Sequence, residues 1–265
     1  MKGGAYIAHH AFRALCATGE RSPLGITHLF TSDEEIGSPT SRALIEKEGR
    51  EAKYVLVTEP ARDGGRIVTA RKGVGRFKVF IKGVPAHAGS RPEDDRSAVR
   101  ELGNVILALE GMNDSARGIT VNVGVVRGGT RPNVTPEEAY AEVDLRVVSL
   151  GDADEFVGRI LALTSKTDGV TVKVTGELNR PPYEKSSAGA ALYEHARALA
   201  REIGFELIDT HTGGGSDGNF TAAHTATLDG LGVDGKGAHT HYEQLYVPSL
   251  APRARLLYRL YQTLR

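Results

Sequence analysis

The sequence is poor in cysteine and balanced in charge, and both features exclude classes of protein. Cys16 is the single cysteine, so no disulfide can form within the chain and nothing indicates an oxidising compartment. Lys and Arg number 33, and Asp and Glu also number 33, so no surplus charge favours nucleic acid or an anionic membrane surface as a partner. No apolar run approaches the ~18 residues of a membrane-spanning helix. His9, His10 and Arg13 interrupt the N-terminal apolar stretch, so we predict no signal peptide and a cytoplasmic location.

The pattern of strands and helices predicts an α/β protein in three segments. Residues 1–70 and 181–265 alternate helix and strand patterns, which is typical of a mostly parallel sheet with helices on its faces. Residues 71–180 follow the order β-α-β-β-α-β of a ferredoxin-like unit, and we predict that they form an inserted domain. Among single elements we expect a strand at 26–32, a helix capped by Ser38, and helices near 94–112 and 187–203.

Acids and histidines follow three apolar segments of the chain. The stretch TSDEEIGS places Asp33, Glu34 and Glu35 directly after an apolar run, VTEP places Glu59 after the next predicted strand, and KGAHTHYEQ supplies His239. Because the carboxyl ends of parallel strands share one edge of a sheet, two glutamates and a histidine could converge there as zinc ligands. Polar turns with solvated carboxylates are the alternative reading, and the spacing alone does not decide between the two.

Other motifs place further candidate residues in loops. GVPAHAGSRPEDD puts His87 in a turn of small residues, GGTRPNVTP puts Asn133 in a second tight loop, and TGGGSDGN offers backbone that can approach a ligand closely. With MKGG, AEVDLR and NRPP, these motifs resemble the zinc-dependent exopeptidase and deacylase family in order and spacing along the whole chain. That family includes carboxypeptidase G, acetylornithine deacetylase, succinyl-diaminopimelate desuccinylase and aminoacylase, and the motifs are most similar to the carboxypeptidase G type.

The resemblance implies a fold and an activity. It implies a zinc-exopeptidase-like catalytic domain with a ferredoxin-like lid that forms a homodimer, and hydrolysis of an amide next to a free carboxylate in a small peptide or N-acyl amino acid. It also implies two zinc ions per subunit, although cobalt or manganese would suit carboxylate ligands too. The resemblance implies that Glu34 is the general base, that Glu35 and His239 bind one zinc, and that Glu59 binds the other. It implies that His87 polarises the scissile carbonyl in the partner subunit's site. The residues implied to bind the substrate are Asn133, Arg180, Gly214, Gly215 and Ser216.

Two metal ligands of the family pattern have no counterpart in these 265 residues. They are a histidine in an upstream His-x-Asp motif and a bridging aspartate directly before MKGG. Zinc takes about four ligands, mostly from protein, so we expect at best one weak metal site. We therefore expect a fragment that is incomplete at its N-terminus, exposes apolar surface there and does not hydrolyse peptides alone.

Two other functions compete with this hypothesis. A non-catalytic, dimeric binding or regulatory module of the same fold could keep the lid and lose the metals, but clustered carboxylates without a counter-charge would then cost free energy for no purpose. A nucleotide-binding protein is disfavoured, since the glycine-rich loop lacks a phosphate-binding lysine. Four further side chains have alternative interpretations. His241 could bind the metal in place of His239, and Asp33 could be a turn residue. Asp217 could cap a helix, and Arg146 could form a surface ion pair or contact the substrate.

Overall fold

The computed structural model describes residues 1–90 and 95–265, which fall into two compact units. The first unit combines Met1–Arg71 with Tyr183–Arg265, and the second is Lys72–Pro182. The second unit thus begins one residue later and ends two residues later than the segment 71–180 proposed from the sequence. Positions 91–94, which belong to the loop after His87 and include the first position of the predicted helix 94–112, lie outside the described residues.

Three long helices build the core of the first unit. They are α1 (Lys2–Ala17), α5 (Ser187–Ile203) and α7 (Leu250–Thr263), and each buries one apolar face. In α1 the spacing of Ile7, Ala11 and Leu15 places these side chains on one face, where they join a buried cluster with residues of α5 and α7. Two shorter helices, α2 (Arg42–Glu51) and α6 (Gly218–Thr221), complete the helical part.

The strands of the first unit form parallel pairs. β1 (Tyr54–Leu56) pairs in parallel with β8 (Ala226–Leu228), and β2 (Ile67–Arg71) pairs in parallel with β7 (Asp209–Thr212). β9 (Gly235–Lys236) and β10 (Gln244–Leu245) form a short antiparallel hairpin. Parallel strands joined through helices are the α/β arrangement predicted from the sequence, and that fold class is confirmed.

The structure corrects three local predictions in the first unit. Residues 26–32 form no strand, because no described strand pairs with this apolar run to satisfy its backbone, and Phe30 is 67% exposed. Ser38 is not a helix cap: it is buried with φ of 57°, and α2 begins only at Arg42. The hydroxyl of Ser38 donates to Oδ1 of Asp217 at 2.5 Å. Asp217 accordingly binds this hydroxyl and makes no capping hydrogen bond to α6.

The second unit is a four-stranded antiparallel sheet with two helices. Its elements follow in the order β3 (Gly73–Lys82), α3 (Ala98–Glu110), β4 (Thr120–Gly128), β5 (Glu138–Val147), α4 (Leu150–Leu161) and β6 (Thr171–Arg180). The strands lie in the order β4-β5-β3-β6, so the first and last strands of the unit are neighbours, as in a ferredoxin-like fold. Phe77, Val79 and Ile81 of β3 are buried and alternate with exposed residues, as the sequence pattern predicts.

Helix length and composition bear on membrane insertion. The longest described helix, α5, has 17 residues, whereas a transmembrane helix needs about 20 apolar ones. None of the helices in the described ranges is both long and apolar enough to span a bilayer.

Candidate metal and substrate site

Two carboxylates follow the carboxyl ends of the parallel pair β1 and β8. Asp229 comes directly after β8, and Glu59 lies three residues beyond β1. The two loops are tied together, since the backbone N–H of Gly232 donates to the carbonyl oxygen of Glu59 at 2.9 Å. A Cβ at Gly232 would lie 2.6 Å from that oxygen, so only glycine permits this approach. Both acids therefore lie at the edge of the sheet where open α/β proteins build their sites.

Glu59 holds its proton more tightly than a solvated glutamate does. Burial is the largest cause that raises the pKa of Glu59 to about 7, the charges of Asp229 and Glu34 add to it, and Arg71 opposes it. An acid crowded by two others in partly buried surroundings is an arrangement that a bound cation would stabilise.

The acidic stretch divides into one buried residue and two more accessible ones. The carboxylate of Asp33 accepts hydrogen bonds from N and Oγ1 of Thr40, at 2.8 and 2.7 Å, and from N and Oγ of Ser41, at 3.1 and 2.5 Å. Hydrogen bonds from Ser41 and Thr40 hold the pKa of Asp33 well below its usual range. Asp33 thus fixes the start of α2, while Glu34 is half-buried and Glu35 is exposed in the short 3₁₀ turn that follows.

The structure brings Glu35 and His239 together from distant parts of the chain. Oε2 of Glu35 lies 3.5 Å from Nε2 of His239, and their side chains are 70% and 80% exposed. His239 sits in the turn between β9 and β10 with φ of 63°, a left-handed conformation that non-glycine residues rarely adopt. Backbone strain of this kind collects at functional sites, where the surroundings enforce it.

The predicted convergence of three ligands is only partly present. Across residues 1–90 and 95–265, no group of three or more His, Cys, Asp or Glu side chains is placed to hold one metal ion. Glu35 and His239 form a pair, and Glu59 does not join them in such a group. Two ligands of a tetrahedral zinc, each about 2.0–2.1 Å from the ion, are about 3.4 Å apart, so the pair has a spacing that suits a shared metal.

A buried ion pair beneath the glycine-rich loop has no counterpart among the predicted site residues. Nε of Arg71 donates to Oδ2 of Asp229 at 2.8 Å, and Nη1 of Arg71 donates to the carbonyl of Gly214 at 2.9 Å. The hydroxyl of Ser216 donates to the same Oδ2, so the loop is anchored at two points. The sequence does contain a pattern from which this ion pair could be predicted. The apolar strands IVTAR and ATLD end in opposite charges, which could pair across a parallel sheet.

The remaining predicted residues belong to the second unit. The loops of His87 and Asn133 lie side by side, because the N–H of Ala88 donates to the carbonyl of Asn133 at 3.2 Å. Nδ1 of His87 is 3.2 Å from the hydroxyl of Ser90, and its ring is exposed. Arg180 ends β6 and is 4% exposed. The structure therefore brings His87 and Asn133 together within this unit.

Curated proteins of known name are similar to this chain in sequence. Carboxypeptidase G2 from Pseudomonas sp. (strain RS-16) is 31% identical over all of this chain, and the match covers 64% of that protein. Succinyl-diaminopimelate desuccinylase from Bordetella parapertussis is 25% identical over 91% of the chain and 66% of its own length. The chain thus spans about two thirds of these curated relatives.

Solved structures give the same relationship. Aminopeptidase PepT from Bacillus cereus superposes with a TM-score of 0.81 at 27% identity, covering 98% of this chain and 70% of that one. The fold is also that of YxeP from Bacillus subtilis, described as a dinuclear metal-binding peptidase, with a TM-score of 0.64, 16% identity, and coverage of 88% and 63%. Residues 1–263 match the family described as Peptidase family M20/M25/M40. The chain belongs to the M20/M25/M40 family of peptidases.

Proposed function

We propose that the chain carries the metal-binding part of a hydrolase that cleaves an amide bond next to a free carboxylate, as a carboxypeptidase or an N-acyl-amino-acid deacylase does. The observation that carries this proposal is the pairing of Glu35 with His239 at 3.5 Å in a chain of this family. Membership of the family, and the name of the relative carboxypeptidase G2, support the reaction class.

The donor atoms suit a divalent metal such as zinc. Glu35 and His239 would hold one ion, and Glu59 would hold a second, as the resemblance implies. A carboxylate with an imidazole is typical of zinc, while cobalt and manganese accept the same donors. When bound, the metal would lower the pKa of a coordinated water and polarise the scissile carbonyl.

By resemblance, Glu34 would move the proton in this reaction. It precedes the proposed ligand Glu35 in the 3₁₀ turn, and its charge raises the pKa of Glu59. A carboxylate oxygen of Glu34 would take the proton of the attacking water and return it to the leaving amine. Its half-buried position limits competing solvation of that carboxylate.

The second unit would supply groups that bind the substrate. By resemblance, His87 stabilises the oxyanion that develops on the scissile carbonyl, and Asn133 and Arg180 hold the substrate carboxylate. The imidazole of His87 is exposed, which is compatible with a contact to the substrate in a second subunit's site.

The sheet of the second unit offers an edge for a homodimer. β4 pairs with β5 on one side, and within the described residues no strand pairs with its other side. Val125 and Val126 on this strand are 37% and 52% exposed. An open edge with adjacent β-branched side chains favours pairing with another strand, and a second copy of this chain is the partner that the resemblance implies.

The donor count limits what residues 1–265 do alone. Two protein ligands for one ion and one for the other are fewer than the four that zinc usually takes. We expect the isolated chain to bind zinc weakly and to release no amino acid from N-acyl-glutamate substrates. Robust zinc-dependent release of glutamate by purified 1–265 would contradict this part of the proposal.

Calorimetric titration of purified 1–265 with zinc chloride tests the metal assignment. We expect one weak site that is lost in Glu35→Gln and in His239→Ala. His241→Ala is the matched control, since this exposed histidine lies two residues from His239, and the variant should bind zinc within about twofold of the parent. If the parent binds no zinc, or if all variants bind it equally, the metal assignment is wrong and the non-catalytic binding module becomes the better reading.

A further inference from the structure

Hydrogen-bond donors surround one face of Gly214 in the glycine-rich loop. The three heavy atoms nearest to a Cβ built on Gly214 are Nη2 of Arg62, Nη1 of Arg71 and Oγ1 of Thr212, each at 3.9 Å. Two of these atoms belong to guanidinium groups and the third to a hydroxyl, so all three can donate a hydrogen bond. Gly214, Arg62 and Thr212 are half-buried, so the face is partly open to solvent.

The two arginines differ in how their charge is balanced. Arg71 is neutralised by Asp229, with which it forms a buried ion pair. Arg62 makes no ion pair with any carboxylate of the described residues, and its Nε is buried without a hydrogen-bond partner. Glu59 also acts electrostatically on Arg71. Arg62 is therefore the guanidinium beside Gly214 that no carboxylate of the described residues pairs, and its half-buried surroundings screen its charge less than bulk water does.

A small hairpin holds Arg62 at this position. The backbones of Arg62 and Arg66 exchange both hydrogen bonds, at 2.8 and 2.7 Å, around a turn in which Asp63, Gly64 and Gly65 all have positive φ. Arg66 carries the same charge on the other arm of the hairpin and is exposed.

We propose that Arg62 is the charged group of an anion subsite at Gly214, and that this subsite takes a carboxylate of the substrate or product. Arg71 holds the loop through the carbonyl of Gly214, and Arg62 supplies a guanidinium that no carboxylate of the described residues pairs. The guanidinium fork of Arg62 and the hydroxyl of Thr212 match the paired acceptor oxygens of a carboxylate. The inference rests on the proposed function, because it assigns Arg62 of the first unit as a specificity-determining residue of that reaction.

The test is a nuclear magnetic resonance titration of metal-free 1–265 with N-acetylglycinate. Neutral N-acetylglycinamide and inorganic phosphate serve as comparison probes. We expect the carboxylate to shift the backbone amides of 213–216 and the amide probe to leave them unchanged. Chelator is present throughout, so a failure to bind zinc and a failure to bind the carboxylate are separate results.

Four variants locate the subsite. Arg62→Gln and Gly214→Ala should each weaken N-acetylglycinate binding about tenfold, the first by removing charge-assisted hydrogen bonds and the second by placing a methyl group on the binding face. Arg66→Gln and Gly213→Ala are matched controls, since the first makes the same charge change on the same hairpin and a Cβ at Gly213 meets nothing within 4 Å. Both controls should stay within twofold of the parent.

Folding is verified for each variant by its amide spectrum and thermal midpoint. Equal affinity in Arg62→Gln and the parent, or equal losses in Arg62→Gln and Arg66→Gln, would overturn the assignment. Tighter binding of phosphate than of N-acetylglycinate would overturn the choice of a carboxylate as the ligand.

Discussion

Nε of Arg71 and Oδ2 of Asp229 lie 2.8 Å apart, and neither side chain has any exposed surface. The pair joins the ends of β2 and β8 and carries the glycine-rich loop through Gly214 and Ser216. A buried pair of this kind gains little over an apolar pair, but the loss of one partner is costly because the other charge stays buried. Loss of either residue should therefore destabilise the glycine-rich loop of the candidate site.

The first prediction concerns the stability that the Arg71–Asp229 ion pair gives to the fold. Asp229→Asn should lower the free energy of unfolding by about 3–5 kcal/mol, since it removes the ion-pair partner of the buried guanidinium of Arg71. Urea unfolding followed by circular dichroism measures the change. Glu202→Gln is the matched control, because it breaks the exposed ion pair with Arg259 at 2.9 Å and should cost less than about 1 kcal/mol. Similar losses in the two variants would contradict the prediction.

The second prediction concerns pH and Glu59. Its folded-state pKa of about 7 exceeds its ordinary value of 4.5, so the folded chain binds this proton more tightly than the unfolded chain. The linked stability is therefore greatest below pH 4.5 and falls as the pH rises through about 7. Glu59→Gln should match the parent near pH 4 and exceed its free energy of unfolding by up to about 3 kcal/mol at pH 8.

Urea unfolding of the parent and Glu59→Gln at several pH values provides this comparison, with exposed Glu51→Gln as the control. The difference between the parent and Glu59→Gln should grow across the interval from pH 4.5 to 7, whereas Glu51→Gln should follow the parent throughout. A difference that is the same at pH 4 and pH 8 would show that Glu59 does not titrate in this interval.

The third prediction concerns Asp33 as a structural residue. Asp33→Ala should lower the thermal midpoint, because the N–H and hydroxyl groups of Thr40 and Ser41 lose their shared acceptor. Since the pKa of Asp33 is held low, its contribution is present above its ordinary value of 3.8 and is lost as the pH falls below that value. The double variant with Ser41→Ala should be more stable than additive losses imply, and strict additivity would show that the two side chains do not interact.

The fourth prediction concerns association through the second unit. Light scattering should show a dimer of 1–265 at micromolar concentration, and Val126→Lys on the open edge of β4 should shift it towards monomer. Thr175→Lys makes the corresponding change at an exposed residue of β6, at the opposite edge of the sheet, and should leave the dimer intact. A parent that is monomeric under these conditions would count against the homodimer.

Local sequence patterns predict those elements that local forces determine. The helix expected near 187–203 is observed as Ser187–Ile203, because Ser186 caps its start and Gly204 ends it with φ of 102°. The strand with Phe77, Val79 and Ile81 is confirmed for a similar reason, since alternation fixes which face is buried.

Features that depend on distant parts of the chain are harder to predict. The apolar run at 26–32 has a strand-like composition, but strand formation depends on a neighbour that local sequence does not reveal. Ser38 resembles a helix cap, yet its hydroxyl binds Asp217 from the far end of the chain. The Arg71–Asp229 pair likewise joins residues on separate strands. The resemblance to the family implies that Glu35 and His239 lie together, whereas the donors around Gly214 become visible only in three dimensions.

The central claim is that Glu35 and His239 bind one metal ion together. The most direct measurement is the nitrogen–proton spectrum of the imidazole rings of the nine histidines during stepwise addition of zinc to purified 1–265. The account predicts that the signals of His239 shift first, that those of His241 do not, and that Glu35→Gln abolishes the shift. A first response from any other histidine, or an unchanged response in Glu35→Gln, would contradict it.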